Sequence, residues 1–153
     1  MTFRPVRDLH CEFCTIAAGE DQSVEMLSEG ESWLAFFPLN PATPGHTLVV
    51  PRVHVRDLWE AELELGSELM RAVISIGQTI RRVLRPDGMN LITSASEAAE
   101  QTVFHLHLHV VPRWNDDGFG QIWPTGERYR NADLGNVAER IRREFYAGDE
   151  GRN

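Results

Sequence analysis

The sequence has no apolar run approaching the ~20 residues that a membrane-crossing helix needs. Its first ten residues are charged and lack the apolar core of a secretory leader. Together these absences predict a cytoplasmic protein with no membrane partner. Positive charge is in deficit, since the net charge is −8. A broad face for polymeric nucleic acid is therefore not expected, although local basic residues could still meet a small anionic ligand. Cysteine is scarce, with only Cys11 and Cys14. In a reducing compartment that spacing suggests a metal or redox site before a structural disulfide. A redox pair would call for a thioredoxin-like βαβ unit after it, and none follows. Internal repeats and low-complexity tracts are absent too.

What is there suits one domain. The 153 residues can bury a sizeable core, and 42% hydrophobic content supplies it. Residues 1–10 read as an N-terminal arm, 11–115 as the domain proper, and 116–153 as a C-terminal loop and helix packed on it. A short helical turn is predicted over 14–19. Residues 24–28 and 32–37 read as two strands of a hairpin about Glu29-Gly30. Three prolines and a glycine make 38–45 a loop. His46-Thr-Leu-Val-Val reads as a strand stopped by Pro51, with 52–54 as connector. A long helix is expected over 58–85 with Asp57 as its N-cap, and Gly66 and Gly77 as points where it could bend or break. Residues 90–93 give a fourth strand, 94–100 a polar loop, and 134–146 a last helix. A hairpin without regular βαβ alternation favours an α+β fold with an antiparallel sheet of about five strands, one long helix and a C-terminal helix.

The chain is organised around 102–112, Thr-Val-Phe-His-Leu-His-Leu-His-Val-Val-Pro. His105, His107 and His109 alternate with apolar residues, which is the period of a strand. Three imidazoles then share one face, while Phe104 and the leucines point to a core. One histidine on an apolar strand is most often a satisfied core residue. Three in strict alternation point to a metal site, a nucleophilic histidine with helpers, or both.

His105-Leu-His107-Leu-His109-Val-Val resembles the motif of the histidine triad (HIT) superfamily. Pro44-Gly45-His46-Thr47-Leu48-Val49-Val50-Pro51, Gln101-Thr102 and the opening Cys-x-Phe-Cys agree with it, so the similarity runs from about Cys11 to Arg113. The resemblance implies hydrolysis of a nucleotide phosphoramidate, a dinucleoside polyphosphate or a similar phosphate ester. His107 would be the nucleophile and form a nucleotidyl-histidine. His109 would bind the non-bridging phosphate oxygens, and Gln101 and Thr102 would sit by the leaving group. In the transferase branch a Gln replaces the third histidine, so His109 points to the hydrolase-like branch.

The resemblance also implies a structural zinc held by Cys11, Cys14, His54 and His105, a closed Cys₂His₂ set. Phe13, Phe36 and Leu39 match positions that line the base pocket, though a plain core role suits them as well. His46 is either a donor behind the triad or a packing residue. Trp123-Pro124 resembles a pair seen near the site in some relatives. A homodimer is expected. Two departures fall on the substrate side. Pro38 stands where relatives carry an acid or Asn for the ribose, a contact that Asn40 could replace. Ser94-Ala95-Ser96 stands where they carry Asn-x-Gly. These motivate a second reading, a nucleotide-binding sensor with little turnover; a third is a zinc-stabilised interaction module with the triad as relic.

Overall fold

The computed structural model describes residues 7–124 and 134–149. The chain divides into two units, Met1–Gly120 and Gln121–Asn153. In the first, helix α1 (Glu12–Ala17) is followed by strands β1 (Met26–Glu29), β2 (Trp33–Phe36) and β3 (Thr47–Pro51). Helix α2 (Leu63–Leu84), strand β4 (Gly88–Ile92), a single 3₁₀ turn (Glu97–Ala99) and strand β5 (Leu108–Arg113) complete it. The second unit contributes helix α3 (Leu134–Asp149). The five strands form one open sheet in the order β1-β2-β3-β5-β4, antiparallel at every pairing. This is the α+β arrangement expected. Among the described residues, no helix is long and apolar enough to cross a membrane.

Strand periodicity assigns the two faces of the sheet to different partners. Ala35, Val49, Leu106, Leu108 and Val110 join Leu69, Ala72, Val73, Ile76 and Ile80 of α2 in one core cluster. Those helix positions recur every three or four residues and so make a single stripe. Leu34, Phe36, Leu48 and Val50 face the other way and pack with Cys11, Phe13, Cys14 and Ile16 of the α1 segment. Leu69 is fully buried, so Leu69→Ala is expected to cost about 2–5 kcal/mol.

The structure departs from the sequence reading at α1, which spans Glu12–Ala17 and not 14–19, by one to two residues at strand ends, and more deeply around α2, the histidine strand and Phe104. Helix α2 starts at Leu63, not Leu58, and runs unbroken through Gly66 and Gly77. Asp57 does not cap it: its Oδ1 accepts the Trp59 amide at 2.9 Å in an Asx-type turn upstream of the helix, whose N-cap is Glu62. The histidine strand is shorter than predicted, because the β5 ladder begins at Leu108. His105 and His107 lie on the segment leading into it, tied to the 52–55 connector by Leu106 N–H donating to Val55 O at 2.6 Å. Phe104 is not a core residue. It is 39% exposed, with the Arg56 guanidinium 5.2 Å from its ring centroid.

Candidate active site

Histidines 105, 107 and 109 fall on the α1 face of the sheet, opposite the leucines that seat α2. There they meet Phe13, whose ring centroid lies 5.8 Å from that of His105 and 5.3 Å from that of His107, edge to face. The rings of His107 and His109 are 4.8 Å apart. His105 and His107 are buried.

Each ring is held by a different partner, and the partners fix where its proton sits. His107 Nδ1–H donates to the His105 carbonyl at 2.7 Å. That leaves the Nε2 lone pair of the neutral ring free. The His107 carbonyl is anchored in turn by Thr93 Oγ1 at 2.9 Å. The Ala42 amide donates to His46 Nδ1 at 3.0 Å, so the proton of neutral His46 is on Nε2. That N–H points at His109 Nδ1 across 2.9 Å, which places the proton of neutral His109 on its outer nitrogen, Nε2. His46 therefore stands behind the triad as a donor. The turn that delivers it needs Gly45: φ is +82°, and a Cβ there would lie 2.4 Å from Leu84 Cδ1.

Burial keeps these rings uncharged. It pushes His109 down to about 4, with His107 and His46 adding repulsion. The same desolvation lowers His107, partly offset by its bond to the His105 carbonyl, and lowers His46. Neutral imidazoles are both nucleophiles and hydrogen-bond donors near neutral pH.

A second cluster adjoins the first. The ligand atoms of Cys11, Cys14, His54 and His105 all lie within 4.8 Å of one another. Cys11 Sγ is 3.4 Å and Cys14 Sγ 3.6 Å from His105 Nδ1, while Cys14 Sγ is 3.3 Å from His54 Nδ1. A tetrahedral zinc with Zn–S ~2.3 Å and Zn–N ~2.05 Å requires S···N separations of roughly 3.6 Å. His105 Nε2–H donates to Pro51 O at 2.9 Å, which turns the Nδ1 lone pair towards the thiols. Burial lowers His105 to about 4 and raises the Cys11 thiol. A bound cation would reverse the second effect by stabilising thiolate. Donor set, spacing and tautomer all fit a metal ion.

Other residues expected at the site divide in two. Phe36 is buried against Phe13, with centroids 5.7 Å apart. The β4–β5 register pairs Ile92 with His109, and Ser94 follows Thr93, whose Oγ1 donates to the His107 carbonyl. Gln101 is 3% exposed and both ends of its amide are in use. Nε2 donates to Arg56 O at 2.7 Å and Oε1 accepts the Ser96 amide at 2.8 Å. It clamps the 3₁₀ turn to the connector bearing His54. Leu39, at 70% exposure, Asn40 and Thr102 are exposed rather than gathered round the rings. Trp123 is 82% exposed and belongs to the second unit. Sequence reasoning passed over Thr93, Pro51 and Ala42. Two of the three act through backbone atoms, which no side-chain pattern signals.

The HIT domain family model matches residues 20–116. The chain belongs to this family. Protein hit of Bacillus subtilis is 39% identical over 134 residues, covering 86% of this chain and 92% of that protein. Adenosine 5'-monophosphoramidase hnt1 of Schizosaccharomyces pombe is 30% identical over 118 residues, 76% of this chain and 85% of its own length. Among solved structures, a HIT family protein from Bacillus subtilis superposes with a TM-score of 0.79 at 38% identity, covering 88% of this chain and 96% of that one. A zinc-bound histidine triad protein from Mycobacterium smegmatis gives a TM-score of 0.68 at 35% identity, with 79% and 86% coverage.

Proposed function

We propose that this HIT protein hydrolyses a nucleotide phosphoramidate, a dinucleoside polyphosphate or a similar phosphate ester through a nucleotidyl-histidine. The observation that carries this is the 2.7 Å bond from His107 Nδ1–H to the His105 carbonyl. It leaves one nucleophilic nitrogen on a buried ring and holds that ring still. In the first step His107 Nε2 bonds to the α-phosphorus, and the bond to the leaving group breaks with its electron pair going to the leaving atom, which takes up a proton from solvent when it is an amine nitrogen. The imidazolium so formed keeps its Nδ1–H on the carbonyl, which stabilises the developing charge. His109 Nε2–H faces the phosphoryl oxygens, and His46 holds it in that tautomer. Water then cleaves the phosphorus–nitrogen bond and restores His107. The fission yeast relative named as an adenosine 5'-monophosphoramidase supports this class of chemistry.

Phe13 and Phe36 form the floor for a base. Ser94 offers a neutral polar contact, and Gln101 keeps the adjoining turn in place. The metal we assign is zinc, held by Cys11, Cys14, His54 and His105; when bound, it supplies a four-way crosslink and no open position for water. The protein is proposed to work as a cytoplasmic homodimer, with no polymeric nucleic acid or membrane partner. Among the described residues β1 and β4 are the outer strands of the sheet, and a stable dimer buries at least ~1,200 Å².

Single-turnover labelling with an α-phosphate-labelled nucleotide phosphoramidate tests the reading. An acid-labile adduct on the protein is expected. Tight nucleotide binding with no adduct would instead favour the sensor, a reading motivated by Pro38, which offers no oxygen or amide to a ribose.

A further inference from the structure

Charge around the triad is unevenly distributed. The sequence has no lysine, so its 15 basic side chains are all arginine. Among the described residues of the first unit, Arg7 pairs with Glu20, Arg52 with Glu29, and Arg113 with Asp117 and Asn90. Arg56 lies over Phe104. The remaining described arginines of this unit sit on α2 or at its C-terminal end, and α2 covers the other face of the sheet. Negative charge does come close. Glu12 is the first residue of α1. One neighbour, Cys11, has its Sγ 3.4 Å from His105 Nδ1, and the other, Phe13, has its ring 5.3 Å from that of His107. Glu12 is exposed and forms no hydrogen bond or ion pair with a described residue.

A phosphoryl group at His107 therefore meets neutral donors, the imidazoles, while Glu12, unpaired among the described residues, stands between Cys11 and Phe13, which both contact the triad. We propose that Glu12 is a specificity-determining residue of this site: its carboxylate disfavours substrates carrying anionic charge beyond the reacting phosphoryl group and favours those with a neutral or cationic leaving group. This rests on the hydrolase reading above. The physical basis is repulsion. A carboxylate and an added phosphate charge within one partly exposed site oppose each other at an intermediate dielectric, worth about three- to ten-fold in affinity and weakened by salt. Discrimination built from a repulsive element needs no contact with the favoured substrate.

The test uses the full chain with its metal as purified, and Glu12→Gln and Glu12→Lys variants. Calorimetric titration with AMP and with ADP gives the ratio of their dissociation constants. In Glu12→Gln, ADP is expected to gain about three- to ten-fold relative to AMP, with a larger gain in Glu12→Lys and a smaller one in high salt. The kcat/KM for a dinucleoside triphosphate should rise by a similar factor relative to that for an AMP phosphoramidate of a neutral amine. An ADP-to-AMP ratio unchanged within two-fold in both variants overturns the proposal and leaves the hydrolase reading intact. A shifted ratio in a protein that forms no adduct and turns over neither substrate supports Glu12 as the charge filter and overturns the hydrolase reading. No binding of either nucleotide overturns both.

Discussion

His46 Nε2 lies 2.9 Å from His109 Nδ1, and the direction of that hydrogen bond is set from outside the pair. The Ala42 amide can only donate, so His46 must accept at Nδ1 and donate at Nε2. A backbone N–H on a loop thus decides which nitrogen of His109 carries its proton. His46→Ala frees His109 to populate the other tautomer. The loss is that of one ordered hydrogen bond, roughly 1 kcal/mol, or about a five- to ten-fold fall in kcat. KM should change little, because the side chain stands behind the ring. Steady-state kinetics separates the two parameters, and a KM effect alone would refute the assignment.

The Cys/His cluster should hold one zinc per chain and couple it to folding. Cys11→Ser removes a thiolate ligand and is expected to lower the unfolding midpoint by about 10 °C. The rate of adduct formation by protein that remains folded should fall much less, since His107 Nδ1–H donates to a backbone carbonyl and His107 is not one of the proposed ligands. Elemental analysis and thermal melts with and without chelator check both parts. Metal-free protein with an unaltered melt would count against the site.

The face on which the histidines stand could be read from the sequence because period two is a strong local signal. The Cys/His cluster could be read because its four members are all side chains. The start of α2 could not. Asp57 is an excellent cap by type, yet it spends its carboxylate on the Trp59 amide, and only tertiary context separates the two uses. The role of Gln101 was equally hidden, because both its partners are backbone groups, at Ser96 and Arg56. The turn it closes carries Ser96 at φ 70° and Glu100 at φ 64°. Left-handed backbone of that kind is usually flagged by glycine, and here it is not.

Acid should destabilise the protein partly through His109. Its folded value is held down at about 4 by burial and by His107 and His46, against ~6.5 in an unfolded chain. The unfolded state therefore binds more protons between those values. Stability is complete above about pH 6.5 and is lost progressively as pH falls towards 4. His109→Gln has no such group. Between pH 6.5 and 4 the wild type should lose more stability in urea melts than the variant does. Because both retain the Cys/His cluster, metal release contributes equally and cancels in the comparison. Parallel losses would show that His109 is not held neutral.

The three triad variants should fall in a fixed order. His107→Ala and His107→Asn remove the only nitrogen proposed to bond to phosphorus, and neither side chain can form the adduct. Labelling should vanish while the fold survives, since the ring's sole described hydrogen bond is to the carbonyl two residues back. His109→Ala keeps the nucleophile and loses one donor to the phosphoryl oxygens. On the scale of one oxyanion contact that is about 100- to 1,000-fold in rate, with slow labelling still detectable. His105→Ala acts through structure: it deletes a proposed metal ligand and the bond to Pro51 O, so soluble yield and rate should fall together. Mass spectrometry of acid-quenched adducts locates the modified ring. An adduct on His105 or His109, or full turnover by His107→Ala, is incompatible with a free Nε2 on His107 as the attacking atom.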